Sequence, residues 1–129
     1  MLLCQKLQTK LSINKHGRII FISSVYGLIG SSMEVLYSTL KGGQIAFANA
    51  YAKEVATLGI TINTIAPGAV DTNMNNNWSF EEKKELLDEN PLQRMASPEE
   101  VASLALYLLS DNAAYITGTT IPVTGGWKI

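Results

Sequence analysis

Three polar side chains stand at a spacing that suits proton transfer. Ser24 follows a short apolar run, Tyr37 comes thirteen residues later, and Lys41 four residues after that. On a helix, residues four apart share a face, so Tyr37 and Lys41 would be neighbours. A nearby ammonium group favours the phenolate and lowers the pKa of a tyrosine from its ordinary value of about 10, toward the range where general acid–base catalysis works. With the Ser24 hydroxyl holding a carbonyl or alcohol oxygen, the group could transfer the proton when a ketone and an alcohol are interconverted, a reaction that also needs a hydride donor.

The same three residues also have a plain structural interpretation. A tyrosine and a lysine four apart on a helix are commonly a surface pair, and the spacing alone is a weak signal. Ser23 and Ser24 after a strand are also typical of a simple turn. Both interpretations stay open on the residues alone.

The elements that would position these residues can be predicted from the sequence. An isoleucine-rich run, Gly17 to Ser23, predicts a buried strand. Ser31 and Glu34 have the spacing of a capping box that opens a long helix, and Gly59 is a natural helix stop. A second β-branched run follows, from Ile60 to Gly68.

The flanking segments complete an alternating pattern. They are a helix with Leu3, Leu7 and Leu11 on one stripe, a helix opened by Ser79 and Glu82 that runs through Leu87, a helix opened by Ser97, Pro98 and Glu100, and a strand over Thr119 to Val123. Pro122 predicts that this last strand lies at a sheet edge. Alternating helices and strands predict an α/β fold with a parallel sheet, whose sites lie at the carboxyl ends of the strands. Ser24 and Pro67–Gly68 stand just past two such ends.

Composition excludes several classes of function. The chain has 129 residues, 47% hydrophobic and 16% charged, with a net charge of −1 and no run of like charges that would favour nucleic acid or an anionic membrane surface. No apolar stretch reaches membrane-spanning length. One cysteine and one histidine make neither an internal disulfide nor a metal site. The single cysteine, Cys4, fits a reducing, cytoplasmic compartment.

A family resemblance covers essentially the whole chain. It rests on "GRIIFISSVYG", the spacing of Ser24 to Tyr37, "YSTLK", "NTIAPGAVDTNM", "PLQRMASPEEVASLALYLLSD" and "YITGTTIPVTGG", taken in this order. Together these motifs resemble the carboxyl-terminal half of a short-chain dehydrogenase/reductase, most closely the subgroup that includes 3-oxoacyl-[acyl-carrier-protein] reductases. The implied fold is the carboxyl-terminal part of a Rossmann-like parallel sheet with flanking helices, a single partial domain over residues 1–129.

The resemblance also implies roles for individual residues. Tyr37 would be the general acid/base, Lys41 would lower its pKa and bind the nicotinamide ribose, and Ser24 would orient the substrate oxygen. The implied cofactor is NADP or NAD, and the loop that lies along it matches Pro67, Gly68, Val70 and Thr72. Residues 73–93 match the substrate lid, in which Trp78 and Phe80 either line a pocket or pack the lid helix.

Part of the family pattern is absent from the sequence. There is no glycine-rich turn for the pyrophosphate, no determinant of NAD against NADP, and no match to the family's catalytic asparagine. Leu40 and Thr124 stand where the family commonly has a small residue and an aspartate. The strand from Gly17 to Ser23 would therefore lack a neighbour and expose an apolar edge.

Two functions follow as expectations. The first is an NAD(P)-dependent oxidoreductase that interconverts a ketone and a secondary alcohol, with a 3-oxoacyl thioester, free or bound to acyl-carrier protein, as the preferred substrate. Sterols, sugars and small ketones stay open. The resemblance implies a homo-oligomer paired through the helix from Val35 to Leu58, or a partner that supplies the amino-terminal half, without which the chain is expected to be inactive. The second is a non-catalytic structural or interaction module derived from the same family.

Overall fold

The computed structural model describes residues 2–73 and 78–127. Within these residues, the single-turn 3₁₀ helices Ala56–Leu58 and Asp111–Ala113 accompany the main elements. Those main elements are α1 (Leu2–Ser12), β1 (Gly17–Ile22), α2 (Tyr26–Ile29), α3 (Val35–Val55), β2 (Ile60–Pro67), α4 (Phe80–Asp88), α5 (Pro98–Leu109) and β3 (Thr120–Val123). Residues 74–77 of the predicted lid lie outside the described residues.

The strands of the described residues form one parallel sheet in the order β1-β2-β3. Gly17 pairs with Ile60 and Ile22 with Ile65, while Thr64 pairs with Thr120 on the other side. Every residue of the central strand β2 is buried, as expected for a strand covered on both faces by helices. The predicted α/β fold, a parallel sheet with flanking helices, is confirmed.

Side-chain alternation along β2 divides the core between two faces. Ile60 and Ile62 pack against α3 through Ala48, Ala52 and Val55. Ile65 points to the opposite face and packs with Leu108 of α5 and Ala113. Burying one such isoleucine stabilises the fold by about 1.5–3 kcal/mol, so these two layers hold the strand ends in place.

Two of the predicted helix starts are confirmed. At α4 the Glu82 amide donates to the Ser79 hydroxyl at 3.1 Å, and the Ser79 amide donates to the Glu82 carboxylate at 2.7 Å. At α5 the Ser97 amide donates to the Glu100 carboxylate at 2.8 Å, and Pro98 takes the first helical position.

The predicted capping box at Ser31 and Glu34 is wrong. The residue that precedes α3 is Glu34 itself, and no side chain caps the helix there. Met33, between the two, has a left-handed backbone with φ of 64°, so the segment cannot continue as a helix turn. The Ser31 amide instead donates to the Ser38 hydroxyl at 3.2 Å. The short helix α2, just before this segment, was not predicted from the sequence.

The two sheet edges differ. Pro122 lies on the edge strand β3, as predicted from its missing N–H group. Among the described residues β1 pairs only with β2. The Ser23 amide donates to the Ile65 carbonyl at 2.8 Å, so the backbone groups of the alternate residue Ile22 point away from β2, toward the open edge. No helix within residues 2–73 and 78–127 is both long and apolar enough to span a bilayer.

Gly59 ends the α3 segment and leads directly into β2. Its φ is 73°, and an added Cβ would lie 2.6 Å from the Lys15 carbonyl oxygen. Both the left-handed backbone and the close contact exclude a side chain here. The turn from helix to strand therefore requires glycine.

Two glycine replacements should have opposite effects on stability, one at the turn after α3 and one within α3. Gly59→Ala is expected to lower the free energy of unfolding by about 1–3 kcal/mol, because it combines backbone strain with a backbone clash. Gly43→Ala, within α3 and with nothing within 4 Å of its added Cβ, should raise it by about 0.5–1 kcal/mol. Urea unfolding measures both, and equal effects of the two changes would contradict this account.

Candidate active site

A cavity of about 420 Å³ opens at the carboxyl ends of β1 and β2. Its volume lies within the range of small-molecule sites, roughly 300–1,000 Å³. Of the residues singled out from the sequence, it is lined by Ser24, Tyr37, Pro67, Gly68, Val70, Thr72 and Trp78. The structure thus brings together side chains that lie up to 54 positions apart in the chain, from Ser24 to Trp78.

Ser24 lies just beyond β1 and is only 8% exposed. The chain stays paired to β2 here, because the Val25 amide donates to the Pro67 carbonyl at 2.8 Å. The Tyr26 amide donates to the Ser24 hydroxyl oxygen at 3.2 Å. This bond uses the acceptor side of the hydroxyl, which leaves its proton available to a group in the cavity.

Tyr37 reaches the cavity from the first turn of α3. Its ring meets the ring of Tyr26 edge to face, with centroids 6.5 Å apart. Gly27 allows α2 to approach α3 closely, since an added Cβ would lie 2.8 Å from the Lys41 carbonyl carbon. The Ser23 hydroxyl donates to the Lys41 carbonyl oxygen at 2.9 Å. These contacts fix the start of α3 against the end of β1.

Lys41 shares a helix face with Tyr37, as the spacing predicts. Its Nζ lies 5.6 Å from the centroid of the Tyr37 ring. Lys41 does not line the cavity. Its ammonium donates instead to the Ile22 carbonyl at 3.0 Å, which is the acceptor that faces the open edge of β1. The structure therefore places the lysine beside the tyrosine but directs its charge to the sheet edge.

The loop after β2 forms the opposite wall. The Gly68 amide donates to the Val123 carbonyl at 2.9 Å, and an added Cβ would lie 3.3 Å from the Thr124 Cα. Val70 pairs with Ala96 in an isolated parallel bridge. The wall is thus held by backbone bonds on both sides, and a side chain at residue 68 would push it away from β3.

The two predicted pocket aromatics have different positions. Trp78 lines the cavity. Phe80, the first residue of α4, is 78% exposed and is not part of the lining. Tyr26, Leu86 and Trp127 also line the cavity, and sequence reasoning did not single them out. Trp127 had a weak signal, since it follows the Gly-Gly pair that ends the matched family pattern.

A smaller cavity of about 90 Å³ lies beside the first and shares Ala69 with it. Arg94 and Glu100 line it and form an ion pair, with Nη2 and Oε1 2.6 Å apart. Hydrogen bonds from Arg94, and then from the Ser97 amide, lower the pKa of Glu100 from 4.5 to about 2. No cluster of three or more potential metal ligands occurs within residues 2–73 and 78–127.

This ion pair predicts a specific dependence on pH. The folded pKa of Glu100 is depressed, so its stabilising effect is present above about pH 4.5 and is lost as the pH falls toward 2. In Arg94→Gln the pKa of Glu100 should rise toward 4.5, since the first cause of its shift is removed. A carboxyl-resolved NMR titration measures this, and Arg18→Gln, which removes a different cation, should leave the pKa of Glu100 unchanged. An unchanged value in Arg94→Gln would contradict the assignment.

Comparisons with known proteins identify the family of this chain. The family model described as enoyl-(acyl carrier protein) reductase matches residues 1–128. The uncharacterized oxidoreductase YmfI of Bacillus subtilis (strain 168) is 51% identical over 114 residues, which cover 88% of this chain and 47% of that protein. The 3-oxoacyl-[acyl-carrier-protein] reductase of Escherichia coli (strain K12) is 42% identical over 112 residues, which cover 87% of this chain and 46% of that protein.

A solved structure gives the same result for the fold. The crystal structure of 3-oxoacyl-[acyl-carrier protein] reductase from Brucella melitensis superposes with a TM-score of 0.92 at 30% identity, over 98% of this chain and 48% of that one. The chain spans about half the length of the relatives that it matches. On the match over residues 1–128 and these relatives, the chain belongs to the short-chain dehydrogenase/reductase family.

Proposed function

We propose that this chain carries the catalytic residues of an NAD(P)-dependent oxidoreductase that interconverts a ketone and a secondary alcohol. The observation that supports it most is the convergence of the Ser24 hydroxyl and Tyr37 in one cavity at the carboxyl ends of β1 and β2. Binding sites of open parallel sheets occupy this position. The proposed catalytic domain spans residues 1–129, with residues 73–93 as its substrate lid.

Ser24 and Tyr37 would share one substrate oxygen. The acceptor side of the Ser24 hydroxyl is held by the Tyr26 amide, so its proton is directed to the carbonyl oxygen of a bound ketone. Tyr37 donates its phenolic proton to the same oxygen during reduction and takes it back during oxidation. Two donors on one oxygen stabilise the negative charge that develops there.

The residues present fit the nicotinamide end of the cofactor. Pro67 and Val70 offer an apolar wall for a flat ring, Thr72 offers a hydroxyl, and Gly68 fills a position where a Cβ would already crowd Thr124. The nicotinamide supplies the hydride when it is bound. Tyr37 and Lys41 would hold its ribose. The sequence of this chain does not distinguish NADP from NAD.

The position of Lys41 explains why we propose little activity for the 129 residues alone. Its ammonium is engaged by the outward-facing carbonyl of Ile22, an acceptor that a further strand paired to β1 would use. A strand amide in that position would release Lys41 toward Tyr37. We therefore propose that an amino-terminal half, supplied by the same or another chain, completes both the sheet and the site.

The walls of the cavity favour an apolar substrate next to the reacting carbonyl. Val25, Val70 and Leu86 contribute aliphatic surface, and Trp78 and Trp127 contribute aromatic surface. A 3-oxoacyl thioester, either free or bound to acyl-carrier protein, combines such a chain with the ketone that the site needs. The names of the relatives from Escherichia coli and Brucella melitensis support this substrate.

We further propose a cytoplasmic homo-oligomer. The solvent-facing side of α3 carries Val35 and Leu36, each 73% exposed, and Leu40, 64% exposed. Pairing two copies through this helix would bury that apolar surface. The single cysteine, Cys4, is free, which fits a reducing compartment.

A second candidate is a non-catalytic interaction module. The observation in its favour is that Lys41 is bonded to the strand edge rather than directed into the cavity. In that case the open edge of β1 would be the functional surface, and the cavity a remnant of the family fold.

Turnover of the completed protein separates the two candidates, and one substitution tests the mechanism of the first. The chain is combined with the amino-terminal half of the Bacillus subtilis relative, and reduction of a 3-oxoacyl thioester is followed with NADPH and with NADH. Tyr37→Phe should lower turnover by about 10²–10⁴-fold, because it removes the transferred proton. The control is Tyr115→Phe, at a fully exposed tyrosine outside the cavity, which should leave turnover unchanged.

The outcomes are distinct. Full turnover in Tyr37→Phe would overturn the assigned mechanism. Stable pairing of the two halves without turnover, for either cofactor, would favour the interaction module.

A further inference from the structure

Asn90 is a buried polar residue just after α4 that the proposed reaction does not use. It is 4% exposed. Its side-chain Nδ2 donates to the Thr124 carbonyl at 3.0 Å, and its Oδ1 accepts from the Leu92 amide at 2.9 Å. Its own amide donates to the Leu87 carbonyl at 3.1 Å. Asn90 thus links the end of α4 through its backbone amide, and the segment after α4 and the loop that follows β3 through its side chain.

The loop after β3 is shaped around this side chain. An added Cβ at Gly125 would lie 2.7 Å from the Asn90 Oδ1, and an added Cβ at Gly126 would lie 3.1 Å from the Pro91 ring. The Leu92 amide also approaches the Gly125 carbonyl at 3.2 Å. An asparagine at a helix end is commonly a local turn residue. Here, however, the amide group reaches a carbonyl 34 residues away, which a local turn does not require.

The two segments that Asn90 joins both carry cavity walls. Leu86 lines the cavity from α4, and Trp127 lines it from the loop after β3. The Trp127 amide donates to the Thr124 carbonyl at 3.2 Å, which is the same carbonyl that accepts from Asn90. The Trp127 ring in turn meets Tyr26 edge to face at 6.0 Å. A displacement of Asn90 would therefore move the Thr124 carbonyl, and with it Trp127, because both residues donate to that carbonyl.

We propose that Asn90 is a positioning residue that fixes the separation of the walls carried by Leu86 and Trp127, and so sets the size of acyl group that the cavity admits. The link between Asn90 and Trp127 stands on the geometry alone. The statement about the acyl group rests on the proposed function.

The link can be tested without substrate. Trp127 is made the only tryptophan by Trp78→Phe, since the chain has two. In this background, Asn90→Ala and Asn90→Asp both lose the donor to the Thr124 carbonyl and should raise the accessibility of Trp127 to acrylamide about twofold. Asn90→Ala, which also loses the acceptor for the Leu92 amide, should speed amide exchange at Leu92 about tenfold. Amide exchange in the core of β2, at Ile62 and Ile65, should not change. Asn112→Ala and Asn112→Asp, at an exposed asparagine, are the matched controls and should change none of these readouts.

Two results would overturn the proposal. One is unchanged acrylamide quenching of Trp127 in both Asn90 variants. The other is faster exchange throughout β2, which would mean that Asn90 only stabilises the fold. If Asn90→Ala does not fold, Asn90→Asp decides, because it keeps the side-chain shape and the acceptor for Leu92.

Kinetics then test the consequence for the substrate. With the amino-terminal half added, the Asn90 variants should change the KM ratio between long and short 3-oxoacyl thioesters, with kcat affected less. An unchanged ratio beside altered Trp127 quenching would overturn the role in acyl size. A lack of turnover in the unsubstituted protein would count against the proposed function, whereas the fluorescence and exchange results would still decide the role of Asn90 in positioning Trp127.

Discussion

The parallel pairing of β1 with β2 is the constraint on which the site depends. The register continues past the end of both strands, since Ser23 and Val25 donate to Ile65 and Pro67. This continuation holds the backbone around Ser24 and the loop that begins at Gly68 side by side. A shift of one residue would exchange the two faces of β1 and move Ser24 out of the cavity. The buried isoleucines of β2, shared between α3 and α5, make such a shift costly.

Close packing of α2 on α3 depends in turn on this pairing. Gly27 permits the contact with the backbone at Lys41, and Ser23 bonds to the same turn of α3. The first turns of the helix are thus fixed to the end of β1, which places Tyr37 next to Ser24's cavity. The proposed catalytic side chains need no long loops in this arrangement, because the rigid elements alone bring them together.

Much of the architecture could be predicted because it depends on local signals. Gly59 and the capping pair Ser79–Glu82 act within one turn, and the apolar strands have a recognisable composition. The features that the sequence did not predict depend mostly on contacts between distant segments. The left-handed backbone at Met33 overrode the capping signal at Ser31. The direction of the Lys41 ammonium was set by a carbonyl 19 residues away, and spacing alone cannot show which acceptor a long side chain selects. The roles of Trp127 and Asn90 depend on the position of the loop after β3, which no local signal in the sequence indicates.

The two edge strands of the sheet, β1 and β3, differ in how readily a further strand could pair with them. At β3, the backbone position of Pro122 that faces outward carries a ring in place of an N–H group, so this edge lacks one donor that a further strand would need. At β1, the outward carbonyl of Ile22 attracts a cation of the chain itself, which satisfies that acceptor reversibly and leaves no permanent obstruction. Extension of the ladder is therefore favoured at β1. A strand that pairs there would replace the Lys41 ammonium at the Ile22 carbonyl. Pairing of that strand and release of the Lys41 ammonium would therefore occur together.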